Sequence, residues 1–419
     1  MKFLEKAFII IYLFMYMYFP PILSINLMHI LTLFSLIILL TMYRETLIEI
    51  FSNSIKGYMI PMALTLAYVI FIVFVKNGDG NYIYKHVLIF IEVSICTIYI
   101  CSYFNKRKYN IHSILNVLMI VGSIQALISI FSMFVPPIKQ LVVDIYMGQM
   151  IEQNVTSIMA EDILLGMTMH RINGISAALL FTMPIVQALL ATISLYLAIN
   201  KNYKYVILTP VLLFSSIVNA RIGIVVFICG AIIVIITSIE NIRKKLKPII
   251  IISTIIVVIL VAGIVMIDSE NSTVKWIIQF IEEILDLFKG KKTGTFEFLF
   301  GSFIRFPEMN NMIFGTGRDI FLLGGDMRSD IGYINDLWFG GVTYILISYG
   351  TFINYYFKAF NRKYKFNIFI SIMLVTTFIV TNIKGSIVGN NEFINISVLL
   401  STILILRNKG YYLDEKDSI

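Results

Sequence analysis

IGIVVFICGAIIVIITSI, residues 222–239, and IISTIIVVILVAGIVMI, residues 251–267, carry no charged side chain. Runs near this length match a bilayer core about 30 Å thick at about 1.5 Å of helix rise per residue. Neither run alternates polar and apolar positions, so a barrel strand is disfavoured. A helix pairs its backbone groups within itself, as it must where no water reaches. Outward from these two runs the texture repeats. Of 419 residues, 58% are hydrophobic and only 14% charged, with a mean hydropathy of +0.86. A soluble domain of this size needs far more charge on its surface. The chain therefore reads as an all-α polytopic transmembrane bundle, a single integral membrane domain over 1–419.

Apolar segments are expected at about 7–20, 22–43, 57–75, 86–104, 113–135, 174–199, 204–220, 222–239, 248–267, 332–357, 367–382 and 392–406. The N-terminal run follows Lys2 and Lys6 as in a signal peptide. Pro20 and Pro21 follow it with no small-residue cleavage site, so it reads as a retained first span. The net charge of +8 does not point to nucleic acid, because most Lys and Arg sit in short tufts between apolar segments. Twenty of the 33 fall on one side when the N-terminus is placed inside, among them Lys106, Arg107, Lys108, Arg243, Lys244, Lys245 and Lys247. The positive-inside rule then puts both termini in the cytoplasm, which twelve spans satisfy. Cys96, Cys101 and Cys229 lie within apolar segments and complete no metal-ligand spacing.

Two outer segments are long, 136–173 and 268–331. Loops beyond roughly 15 residues are uncommon unless functional. The second opens with an amphipathic stretch at 275–288. Ile277, Ile281, Ile284, Leu285 and Phe288 share a helical face there, with Glu282, Glu283 and Asp286 largely off it. Such a helix suits the bilayer surface or a cap on the bundle.

Few residues carry chemistry. Arg221 stands between two apolar segments with almost no loop. It is either an anion clamp, since a guanidinium fork suits phosphate, or a turn residue snorkelling into headgroups. Arg171, just before the sixth segment, is a second phosphate-facing cation or an interfacial anchor. His170 is a candidate general base or a structural histidine. Gly315-Thr316-Gly317-Arg318 and Arg328-Ser329-Asp330 form a third cluster. Its glycines allow backbone N–H groups to approach an anion closely, and Arg305, Arg318 and Arg328 add positive charge. Asp330 is a catalytic carboxylate, the N-cap of the helix that follows, or both. Asp336, inside a span, is a functional candidate by position, while Glu92 and Gln125 line a cavity or bond between helices. No Walker motif, metal-ligand histidine set or serine triad is present.

Three stretches together resemble the bacterial O-antigen and capsule repeat-unit polymerases of the Wzy type. They are Arg171-Ile172-Asn173-Gly174, Asn219-Ala220-Arg221-Ile222-Gly223, and Gly315-Thr316-Gly317 leading to Ser329-Asp330-Ile331-Gly332-Tyr333. Their order matches, as do the number of spans and the large loop before the tenth. The resemblance implies transfer of a growing glycan from undecaprenyl diphosphate to a new lipid-linked repeat unit, on the outer face of the bacterial cytoplasmic membrane. It implies no metal, no cofactor and no nucleic acid, and a chain-length regulator protein as a partner. Arg171, Arg221, Arg305, Arg318, Arg328 and Tyr333 would bind the diphosphate or sugar. Asp330 or His170 would take the acceptor proton. Where the family often has proline with asparagine or glutamate after the glycine at 174, this chain has Ser176-Ala177-Ala178. A flippase for lipid-linked oligosaccharide and an O-antigen ligase are the competing readings. A flippase needs no long outer loop, and a ligase shares the fold and arginines.

Overall fold

The computed structural model describes residues 2–20, 27–152, 174–177, 181–241, 304–320 and 329–412, with 275, 278–279, 282–283, 285–286 and 289–291. Among these residues there is no strand. The helices are α1 (Lys2–Tyr18), α2 (Leu27–Met42), α3 (Arg44–Lys76), α4 (Asn81–Lys106), α5 (Ile111–Phe134) and α6 (Pro136–Glu152). They continue with α7 (Thr182–Asn200), α8 (Tyr203–Ile217), α9 (Ile222–Asn241), α10 (Gly332–Lys358), α11 (Lys365–Thr381) and α12 (Glu392–Asn408). Five of these, α3, α4, α5, α7 and α9, are long and apolar enough to cross a membrane. The chain has the make-up of a helical membrane protein.

Each expected apolar segment within the described residues coincides with a helix; 248–267 lies outside them. Three places differ. The expected inner loop around Arg44 and Lys56 is helical, because α3 starts directly after a single non-helical residue, Tyr43 (φ −127°, ψ 25°), and absorbs a π-helical turn at Phe51–Ile55. The helix expected from 174 starts at Thr182; Gly174 has φ +120°, which no α-helix accommodates. The first part of the expected 136–173 loop is the helix α6. Pro136 and Pro137 open it, where missing N–H groups cost nothing.

The chain forms two compact units: Met1–Leu27 with Leu115–Lys291, and Met28–Ile114 with Lys292–Ile419. In the first, α7 is buried almost all round. Within it, Gln187 Nε2 donates to Tyr18 Oη (3.0 Å) and Gly122 O (3.3 Å). Gly122 admits α7 because a Cβ there would stand 2.5 Å from Leu190 Cδ1.

In the second unit, α12 is the buried helix, and hydroxyl pairs bind it to α10: Tyr355 with Thr402 (2.7 Å) and Tyr356 with Ser397 (2.8 Å). Such pairs satisfy polar groups between apolar helices. By contrast α3 and α9 each present an exposed apolar face, including Ile60, Leu64 and Phe71 on α3 and Ile228, Ile232 and Ile235 on α9. An apolar face of that extent suits lipid or a partner, not water.

The tenth helix is broken. Gly341 holds φ 68° and ψ −171°, and the helical ladder stops there. The segment 312–317 lies against the break and takes up the freed groups. Thr316 N donates to Trp338 O (2.7 Å) and Gly317 N to Phe339 O (2.8 Å); Val342 N donates to Met312 O (2.8 Å) and Thr343 N to Ile313 O (3.2 Å). Tyr68 Oη donates to Gly340 O (2.7 Å). Buried irregular backbone persists only where its polar groups are satisfied in this way. The approach needs glycine on both sides. A Cβ on Gly315 would lie 2.3 Å from Phe339 O, and one on Gly341 2.2 Å from Ile313 O.

Candidate functional site

The break corrects the reading of Gly315-Thr316-Gly317 as an anion cradle. Gly315 N donates to Asn311 O, and the N–H groups of Thr316 and Gly317 are engaged by α10. With all three donors directed at carbonyls, the glycines serve close backbone packing. Positive φ at Gly315 (+70°) and Gly317 (+74°) says the same.

Around one end of α10 the second unit gathers charge from four separate stretches. Lys85 of α4 pairs with the buried Asp319 (3.4 Å) and lies 4.9 Å from the Tyr82 ring centroid. Lys384, after α11, pairs with Asp330 (3.2 Å). Gly332 permits this meeting, since a Cβ there would stand 2.5 Å from Gly385 O. The N-cap of α10 is Ile331 with no side-chain capping bond, so Asp330 does not cap; Ser329 Oγ accepts from Ile331 N (3.2 Å) instead. Asp336, one turn further, is fully buried. Its oxygens accept from Tyr349 Oη (2.7 Å) and Ser386 Oγ (2.9 Å).

Glu92 is also buried, on a π-helical turn of α4 at Ile89–Val93. One carboxylate oxygen bonds His29 Nδ1 of α2, and the other accepts from Asn390 Nδ2 (2.9 Å). His29 Nε2 lies 3.2 Å from Tyr84 Oη. The sequence flagged Glu92 weakly and passed over His29 and Asn390. A histidine and a glutamate in two apolar segments was the available signal, since such residues rarely enter a span without a partner.

In the first unit Arg221 is neither solvated nor snorkelling. Its side chain is 14% exposed and its Nη1 donates to Glu283 Oε2 at 2.7 Å. Burial holds the guanidinium pKa below its ordinary value, and the Glu283 carboxylate offsets only part of that. The pattern places Glu283 off the apolar face of the 275–288 stretch. It is buried, while Ile278 and Leu285 are exposed. The ion pair outweighs the amphipathic pattern, because a guanidinium left at this depth without a partner costs several kcal/mol. Small residues of the neighbouring motifs close the same seam. Gly174 has Gln125 Nε2 and Ser129 Oγ each 2.7 Å from where a Cβ would sit, Ser215 Oγ donates to Ser129 Oγ (2.9 Å), and Asn219 Nδ2 donates to Ser215 O (2.9 Å).

The predicted site residues thus divide. Arg221 belongs to the first unit; Arg305, Arg318, Asp330 and Tyr333 belong to the second. His170, Arg171 and Arg328 lie outside the described residues. Arg318 is exposed, and Arg305 O accepts from Trp338 Nε1 (2.8 Å). Tyr333 directs its hydroxyl to Ile379 O (2.7 Å), a structural bond between α10 and α11. Among the described residues no group of three or more His, Cys, Asp or Glu side chains is placed to hold a metal ion. No family model, curated protein or solved structure matches the chain.

Proposed function

We propose that this chain polymerises lipid-linked oligosaccharide repeat units into O-antigen, capsule or exopolysaccharide on the outer face of the bacterial cytoplasmic membrane. The observation that carries the reading is Arg221, a largely buried guanidinium between two apolar helices, held against Glu283. A carboxylate is a stand-in for phosphate in the geometry a guanidinium fork prefers. The leaving group in this reaction is undecaprenyl diphosphate, whose developing charge needs such a cation. Arg171, Arg305, Arg318 and Arg328 are the further cations of the reading. The motifs around Gly174, Asn219–Gly223 and Ser329–Tyr333 support it by resemblance.

The reaction is a metal-independent glycosyl transfer. A single displacement at the anomeric carbon inverts its configuration, so a product linkage with the anomer of the lipid-linked donor excludes this course. The test of function is the surface glycan of a deletion strain complemented with wild type or Arg221→Ala. The deletion is expected to leave single repeat units, and Arg221→Ala, at normal membrane levels, to fail to restore the ladder. Repeat units stranded on the inner leaflet would make the protein a flippase. Long polymer that stays on its lipid carrier would make it a ligase.

A further inference from the structure

We infer that His29 is the base that takes the proton of the acceptor sugar hydroxyl, oriented by Glu92 and Asn390. This rests on the glycosyl-transfer reading and names the residues that act in it. Three elements distant in sequence build the arrangement. Glu92 is 4% exposed in its side chain and has both carboxylate oxygens engaged, by His29 Nδ1 and Asn390 Nδ2. A carboxylate on Nδ1 holds the proton there and leaves the Nε2 lone pair as the basic site. Nε2 faces outward: the His29 side chain is 45% exposed. The Tyr84 hydroxyl, itself exposed, stands 3.2 Å from Nε2, within the reach a substrate hydroxyl must have.

The surroundings separate this histidine from its competitors. Both histidines set Nε2 against a tyrosine hydroxyl, but His86 is fully buried, with Nδ1 on Tyr82 O (2.8 Å) and Nε2 on Tyr344 Oη (3.0 Å), so no substrate hydroxyl reaches it. Asp336 has both oxygens engaged by hydroxyls, and Asp330 is held by Lys384. On α2, His29 lies between the exposed stripe of Ile30, Leu33, Ile37 and Leu40 and the buried stripe of Met28, Leu31, Thr32, Ser35 and Leu39. A base at that seam meets a membrane-anchored acceptor at the edge of the bundle. The π-helical turn at Ile89–Val93 inserts one residue into α4 at Glu92, a local distortion that recurs at functional sites.

The step balances. The acceptor oxygen forms a bond to the donor anomeric carbon. The bond from that carbon to the lipid diphosphate breaks, and its electron pair leaves with the diphosphate. The acceptor proton passes to Nε2, and the imidazolium so formed is stabilised by the Glu92 carboxylate before the proton leaves to water.

The experiment uses full-length protein in lipid nanodiscs and the lipid-linked repeat units extracted from the deletion strain. His29→Ala is expected to slow ladder formation by about 10²-fold or more with retention of the lipid-linked units unchanged, and added imidazole to restore part of the rate. Glu92→Gln is expected to slow it less, with the imidazole-independent rate still measurable. Where His29→Ala does not fold, His29→Gln keeps a bond to Glu92 and removes the basic nitrogen. Wild-type rates in either His29 variant overturn the inference. So does a lost rate that imidazole leaves unrestored in folded His29→Ala that still retains substrate. A wild-type protein that makes no polymer from these units removes the glycosyl-transfer reading itself; an active wild type beside an active His29 variant removes only the base.

Discussion

The two units handle charge in opposite ways. In the first, Arg221 stands between two apolar helices and meets Glu283, 62 positions away. In the second, acids and bases from α2, α4, the segment 304–320, the residues just before α10 and the α11–α12 connection form several small groups: His29 with Glu92 and Asn390, Lys85 with Asp319, and Lys384 with Asp330. Asp336 there relies on hydroxyls. The difference teaches where each cost falls. A buried guanidinium–carboxylate pair carries a desolvation penalty that its mutual attraction must offset, whereas the described polar groups of the second unit are satisfied by many short bonds, several of them to neutral hydroxyls and amides.

The largest effect is expected where the second unit's arrangement begins, at the break. Gly341→Ala forces a side chain into φ 68° and places its Cβ against Ile313 O. A loss of about 3 kcal/mol or more is expected, read as loss of the folded peak when detergent-solubilised protein is warmed. A variant as stable as wild type would mean that the helix can run straight and the segment 312–317 can detach. Next comes Glu283→Ala, which strands Arg221 and should cost about 3 kcal/mol. Arg221→Met in the same chain should recover part of that in a thermal melt. A neutral Glu283→Ala would show that the guanidinium reaches headgroups, and the contrast between units would fall.

Smaller effects sharpen the comparison inside the second unit. Tyr349→Phe removes a donor from Asp336 and should lower stability by about 1–2 kcal/mol in a denaturant titration. Lys384→Met removes a partly exposed pair with Asp330 and should change stability by less than about 1 kcal/mol. A larger loss there would place Asp330 in a drier setting than its side-chain exposure of 27% indicates.

Much of the architecture was legible without coordinates. The uncharged apolar run 222–239 is long enough to cross a bilayer, and it is a helix. Arg221 stood out because a guanidinium next to an uncharged run has few benign explanations. Its partner did not stand out, because helical periodicity puts Glu283 off the apolar face of 275–288 and says nothing of what it meets. The glycines at 315 and 317 were correctly seen as sites of close approach and assigned the wrong neighbour, a ligand instead of the backbone of α10. Asp330 was placed at the start of a helix, yet it bonds across to Lys384 and leaves the N-cap to Ile331.

The sequence by itself determined that this is a chain of apolar helices, where most of them lie, and which few charges are expensive enough to need an explanation. Composition and run length decide these, since the cost of exposing backbone and charge to an apolar medium is paid residue by residue. Only the tertiary structure decided the partners. His29 finds Glu92 across 63 positions, Glu92 finds Asn390 across 298, and the segment 312–317 finds the break at Gly341. Pairings of that range depend on how helices pack in three dimensions, and no local periodicity encodes them.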